Sequence, residues 1–164
     1  MAKAFFGENY YLLTDALMRQ QRSLPDHEGR KKYQRVFKMF DHVTISVSGI
    51  GSFYPTEESV LASPEFMPTE DLEKLKQENV SGDIALRFFD HDGQECNTTL
   101  KERMISISIE QFKKIDRKIS LVSGVSKANA VLSALKGGLV DVLILDSNLA
   151  EALLKLSEAM PSQE

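Results

Sequence analysis

One cysteine, Cys96, leaves no pair to close an internal disulfide, and a lone thiol fits a reducing compartment. No apolar run approaches the ~20 residues that cross a bilayer. A leader peptide is poorly supported too: Lys3 precedes Ala4-Phe-Phe6, but Glu8 and Asn9 interrupt the apolar stretch at once. Nor is there a block of one charge. The 20 Lys and Arg stand against 24 Asp and Glu, a net charge of -4 spread along the chain, so nothing marks the whole for a polyanion. What is present is ordinary for a globular protein: 42% hydrophobic and 27% charged residues, in 164 residues that suffice for one domain with a proper core. These features predict a soluble, cytoplasmic domain.

Along the chain, Tyr10-Tyr-Leu-Leu-Thr14 reads as a strand and Asp15 to Arg22 as a loop or frayed helix. Glu28 to Phe40 is an amphipathic helix, with Tyr33, Val36, Phe37 and Phe40 at i, i+3, i+4 and i+7. Its other face carries Arg30, Lys31, Lys32, Arg35 and Lys38, a pattern that is more often a solvated face than a nucleic-acid contact. Val43, Ile45 and Val47 alternate with Thr44, Ser46 and Ser48, which predicts a strand over 43–48, followed directly by Gly49-Ile-Gly51. Pro55 to Ser63 and Pro68 to Glu78 read as helices, the second capped by Thr69. Asn79 to Gly82 ends that helix, and Asp83 to Asp90 reads as one alternating strand running into an Asp90-His-Asp-Gly93 turn. That turn opens like a calcium loop but lacks the downstream ligands, and His42 reads as structural, so no metal site is predicted. Met104 to Ile109 is read as a strand and Glu110 to Ile115 as a short helix. Val140 to Asp146 has the apolar run of a strand covered on both faces, and Ser147 and Asn148 are placed to cap a helix over Leu149 to Met160, ahead of a loose tail.

The stretch from Lys118 to Ala134 organises the rest. A short strand over 119–122 meets the turn Ser123-Gly-Val-Ser126, and a helix opens at Lys127, with Ala130, Val131, Ala134 and Leu135 at helical spacing. Such a turn aims first-turn N–H groups and a helix dipole at one point, which suits a phosphate or carboxylate, and Lys127 adds a cation. The same strand–glycine–helix pattern also serves as a plain connection, so geometry alone leaves both readings open. Alternating strands and helices predict an α/β fold, a mainly parallel Rossmann-like sheet with helices on both faces, its ligand crevice outside the carboxyl ends of the strands. Gly49, Gly51 and Ser123 to Lys127 sit at such ends.

In order, Gly49-Ile-Gly51, Gly82-Asp83-Ile, Phe88-Phe-Asp90 with Gly93, and Arg103-Met-Ile-Ser-Ile-Ser-Ile109 are followed by Ile119-Ser-Leu-Val-Ser-Gly124 with Lys127-Ala, Leu135-Lys-Gly-Gly138, and Val142-Leu-Ile-Leu-Asp146 with Ala150. This succession, over about residues 43–156, resembles the C-terminal part of the effector-binding domain of SorC-type bacterial transcriptional regulators, among them sugar-operon and central-glycolytic-gene regulators. The resemblance implies a fold similar to ribose-5-phosphate isomerase, glucosamine-6-phosphate deaminase and CoA transferase domains. It implies a sensor of a phosphorylated sugar or related small-molecule effector, controlling carbohydrate-operon transcription in the full-length protein. By position, Lys127 with the Ser123-Gly124 turn would hold the effector's phosphate, Asp83 would accept bonds from sugar hydroxyls, and Gly49 and Gly51 would border the pocket.

The chain departs from that pattern. No helix-turn-helix is recognisable, so DNA contact is expected only through one absent from this chain, and the Gly-Gly-Thr loop that opens the family's sensor domain is missing. Residues 1–164 therefore read as a single truncated effector-binding domain, without membrane contact and expected to self-associate. Two other classes are compatible with the same scaffold: a phosphosugar isomerase or deaminase-like enzyme fragment, and a ligand-free oligomerisation module. Asp83, Asp90 and Asp92 are acid/base candidates by position only, which predicts no catalytic residue, no cofactor and no enzyme activity.

Overall fold

A computed structural model describes residues 27–63, 67–98, 100 and 104–159, the side chains of residues 27–32 excepted. The expected strand at Tyr10 to Thr14, the loop at Asp15 to Arg22 and the loose C-terminal tail lie outside these residues. Helix α1, His27–Phe40, buries Tyr33 and half-buries Val36, Phe37 and Phe40, as its spacing predicts. Asp41 after it accepts a 2.6 Å bond from the Gln111 amide. Strand β1, Ile45–Ser48, follows.

At Gly49 the chain changes sheets. β1 lies parallel to β5, Arg117–Val122, which lies parallel to β6, Val142–Leu145. The next strand, β2 (Ile50–Ser52), belongs instead to a small antiparallel sheet with β3 (Val80–Ile84) and β4 (Arg87–Asp90). The parallel sheet of an α/β fold is thus present, with a second, antiparallel sheet beside it.

Helix α2, Thr69–Gln77, precedes β3. Further on come α3 (Ile109–Lys113), α4 (Ala128–Lys136) and α5 (Ser147–Glu158). The main core gathers Val122, Leu143 and Leu145 of the parallel sheet, Ile50, Ile84 and Phe89 of the antiparallel one, and Val131 and Leu149 of α4 and α5. α4 comes close to β3 because both carry small residues: a methyl on Gly82 would stand 2.9 Å from Ala130 Cβ. A second cluster, with Phe53 edge-on to Phe88 at 5.6 Å, lies under α2.

Several elements differ from expectation for local reasons. Asp83 to Asp90 is not one strand, because the chain reverses at Ala85 and Leu86, whose φ of 50° and 64° make a two-residue hairpin turn. No glycine or asparagine marks it. Met104 to Ile109 forms no strand: the Arg87 guanidinium takes the carbonyls of Ser106 and Ile107, each at 2.8 Å, and the Ser106 hydroxyl donates to the Ala85 carbonyl. Pro55 to Ser63 gives only a 3-10 turn, Val60–Ala62, capped by Ser59, because the Glu58 and Ser59 N–H groups both go to the Ser52 carbonyl. Thr69 is the first helical residue rather than the cap. The last helix is capped by Asp146, not by Ser147 or Asn148.

Helices α3, α4 and α5 contribute to a core on one face of the parallel sheet. Register places Val47, Ile119 and Val142 on the other face, with Leu121 and Ile144 one repeat further on. There Ile45, Val47, Leu121 and Ile144 are 61%, 60%, 49% and 53% exposed. Ile84→Ala, in the buried core, should therefore cost ~2–5 kcal/mol in urea denaturation. Val47→Thr should fall within ~0.5 kcal/mol of the parent. A core-sized loss at Val47 would show that this face is covered in solution.

Candidate functional site

The site grows from the sheet change at Gly49. Because β2 runs antiparallel to β3, Gly51 lies directly opposite Asp83. A methyl on Gly51 would stand 2.0 Å from Asp83 Oδ1 and 2.8 Å from Ser59 Oγ, so the missing side chain makes room for the carboxylate. Ser59 Oγ donates to that same Oδ1 at 2.5 Å. Burial pushes the Asp83 carboxyl up to about 6, against the opposing pull of the Ser59 hydroxyl and of the Lys127 charge. Lys127 comes from the end of the 3-10 turn Val125–Lys127 that leads into α4. Three predicted residues from separate parts of the chain, Gly51, Asp83 and Lys127, thus converge.

The turn after β5 is more committed than its sequence implies. Gly124, at φ 103°, donates its N–H to Asp146 Oδ2 at 2.8 Å, and the Ser123 hydroxyl also bonds Asp146. Asp146 accepts the Leu149 N–H at 3.0 Å as well, and these donors, Gly124 first, hold its carboxyl below the usual carboxylate range. Lys127 N–H closes the 3-10 turn on the Gly124 carbonyl at 3.1 Å. Ser123 and Gly124 therefore serve the junction with α5, while Gly49 is exposed and a methyl there would meet nothing closer than the Leu121 carbonyl at 3.8 Å.

Sequence reasoning missed the strap between Phe53 and Ser59. Besides the Ser59 bond to Asp83, the Ser126 hydroxyl donates to Glu58, and Ser52 Oγ donates to the Ser126 carbonyl at 3.4 Å. These contacts span 24, 68 and 74 residues, so no local pattern announces them. An open depression of about 280 Å³ lies elsewhere, at the carboxyl ends of β5 and β6, lined by Leu121, Val122, Ser123, Ile144 and Leu145; it shares only Ser123 with the predicted site. Among the described residues, no cluster of His, Cys, Asp or Glu could hold a metal, and no helix is long and apolar enough to cross a membrane. Cys96 is buried, its thiol pushed up to about 12 chiefly by desolvation, so it is no nucleophile.

Residues 1–155 match the family model described as "Putative sugar-binding domain". The chain is 29% identical to the deoxyribonucleoside regulator of Bacillus subtilis over 126 residues, 77% of this chain and 39% of that protein. It is 28% identical to the sorbitol operon regulator of Klebsiella pneumoniae over 123 residues, 75% of this chain and 38% of that protein. Among solved structures, a DeoR family transcriptional regulator from Listeria monocytogenes superposes with a TM-score of 0.75 at 30% identity, covering 88% of this chain and 57% of that one. The chain spans about two fifths of the length of the two curated relatives. It belongs to the sugar-binding domain family of SorC/DeoR-type transcriptional regulators.

Proposed function

We propose that this chain senses a sugar effector, phosphorylated or closely related, at the junction of β2, β3 and the turn into α4, as part of a cytoplasmic regulator whose DNA contacts lie elsewhere in a longer protein. The convergence of Asp83, Gly51 and Lys127 inside a domain of this family carries the reading. Asp83 accepts sugar hydroxyls, Gly51 leaves room for the carboxylate, and Lys127 supplies the cation for the effector's anionic group. Gly49, Ser123 and Gly124 act around them, the last two by fixing the turn. Binding without turnover fits the relatives, which are transcriptional regulators. Self-association of the regulator belongs to the same proposal.

A thermal-shift screen of phosphorylated and free sugars tests the reading, since a ligand at 100 times its Kd adds ~2.7 kcal/mol. An ammonium-to-phosphate contact is worth ~1.5–3 kcal/mol, so Lys127→Ala should weaken a bound sugar phosphate at least about tenfold and the free sugar much less. Equal losses for both in calorimetric titration would remove Lys127 from the site.

Asp83 makes a second prediction. Its folded-state carboxyl titrates at about 6 against 3.8 for the ordinary group. The folded chain thus holds this proton more tightly than the unfolded one. The resulting stability is present below about pH 4 and lost as pH rises through about 6, by at most ~3 kcal/mol. Asp83→Asn should flatten the denaturation free energy across that window and be the more stable protein at neutral pH, while binding sugar less well. In the parent chain, sugar affinity should rise with pH through about 6, because only the carboxylate accepts at both oxygens. A pH-independent affinity would take Asp83 out of the binding step.

A further inference from the structure

The turn from Ser123 to Lys127 already holds two of the protein's own carboxylates. Asp146 sits on Gly124 and Ser123 and also caps α5, so it is built into the fold. Glu58 is different: it is exposed, it receives the Ser126 hydroxyl, and it rides on the strap between Phe53 and Ser59. The strap is tied down by its backbone, with Glu58 and Ser59 N–H on the Ser52 carbonyl at 3.0 and 2.9 Å, so Glu58 can swing away without unfolding it. Its neighbour Ser59 bonds Asp83 at the other end of the site. One dipeptide therefore touches both ends, a hydroxyl at the sugar-binding carboxylate and a carboxylate at the anion turn.

We propose that Glu58 is a specificity-determining residue of this site: its carboxylate occupies the anion end, and a ligand phosphate has to displace it from Ser126. The inference rests on the sensor reading and adds a selection rule to it. With Glu58 seated on Ser126, its carboxylate lies against the residue that precedes Lys127, and a dianionic group that comes to this turn meets like charge. A neutral sugar meets no such barrier. Phosphorylated effectors bind at the cost of expelling the Glu58 carboxylate, while the strap stays on Ser52.

Calorimetric titration of the whole chain with inorganic phosphate, at constant ionic strength set by chloride, tests this apart from the identity of the sugar. Glu58→Gln removes the charge and keeps the shape, and should raise phosphate affinity at least about fivefold. Glu57→Gln is the control: it makes the same change in net charge on the same strap, at a carboxylate paired with Lys76 at 2.8 Å, and should leave phosphate binding as it was. No gain in Glu58→Gln, including no measurable binding by it, overturns the proposal, and so does an equal gain in the control. D-ribose and D-ribose 5-phosphate, titrated in parallel, separate the two ideas. A phosphate gain confined to Glu58→Gln with no binding of either sugar supports Glu58 and counts against this sugar as the effector. Sugar-phosphate binding that is indifferent to Glu58→Gln keeps the sensor and discards the selection rule.

Discussion

The carboxylate of Asp146 is the joint on which this arrangement depends. It stands at the carboxyl end of β6 and accepts N–H groups from Gly124, after β5, and from Leu149, in the first turn of α5. One side chain thus ties a strand end, the turn into α4 and the cap of α5. Each bond is charge-assisted, and a carboxylate shared by backbone donors is stabilised in its ionised form, which is why its proton is held so weakly. The left-handed Gly124 is what lets its N–H face Asp146, since φ of 103° is a conformation that side chains rarely adopt. Lys127, three residues on, is positioned as a consequence.

Close approach of backbones does for the second sheet what Asp146 does for the first. A methyl on Gly93 would stand 2.5 Å from Gly137 Cα, so the turn that follows β4 rests directly on the end of α4. A methyl on Gly82 would stand 2.9 Å from Ala130 Cβ, and Ser81 and Ser133 share a buried hydrogen bond of 2.8 Å between the same two elements. α4 can serve both sheets because it is built of alanine, valine and serine on its buried side. The hairpin then delivers Asp83 opposite Gly51, and burial between the two layers raises its proton affinity. The electrostatics of the site follow from how the sheets pack, not from Asp83's neighbours in sequence.

The same packing leaves the outer face of the parallel sheet bare among the described residues. Its aliphatic side chains follow the usual pattern for burial on both sides, yet Val47 and Ile45 are exposed. A run of alternating or continuous apolar residues reports which faces are suited to burial, and says nothing of what is present to bury them.

Much of the fold was legible because its cause was local. The period of Tyr33, Val36, Phe37 and Phe40 makes α1, the alternation around Ile45 and Val47 makes β1, and the apolar run from Val142 to Leu145 makes β6. Gly93 at φ 69° makes the turn that its Asp-His-Asp-Gly context predicts. Gly51 and Lys127 were legible as residue types with suitable chemistry at strand and helix ends, and Asp83 through the family resemblance alone. Their company was not. The hairpin at Ala85 and Leu86 carries no turn signal, and its Ala85 carbonyl is taken by the Ser106 hydroxyl, whose own carbonyl is held by Arg87. The Ser106–Ile107 stretch has a strand's alternation but gives its carbonyls to a guanidinium. Ser59 and Glu58 reach Asp83 and Ser126 across contacts that only the folded chain creates. The sequence by itself determined α1, β1, β6 and the Gly93 turn, because periodicity and turn chemistry act over a few residues. The tertiary structure alone decided that β2 leaves the parallel sheet at Gly49, that Asp83 meets Gly51, and that Glu58 lies on the anion turn, because those outcomes depend on packing between distant segments.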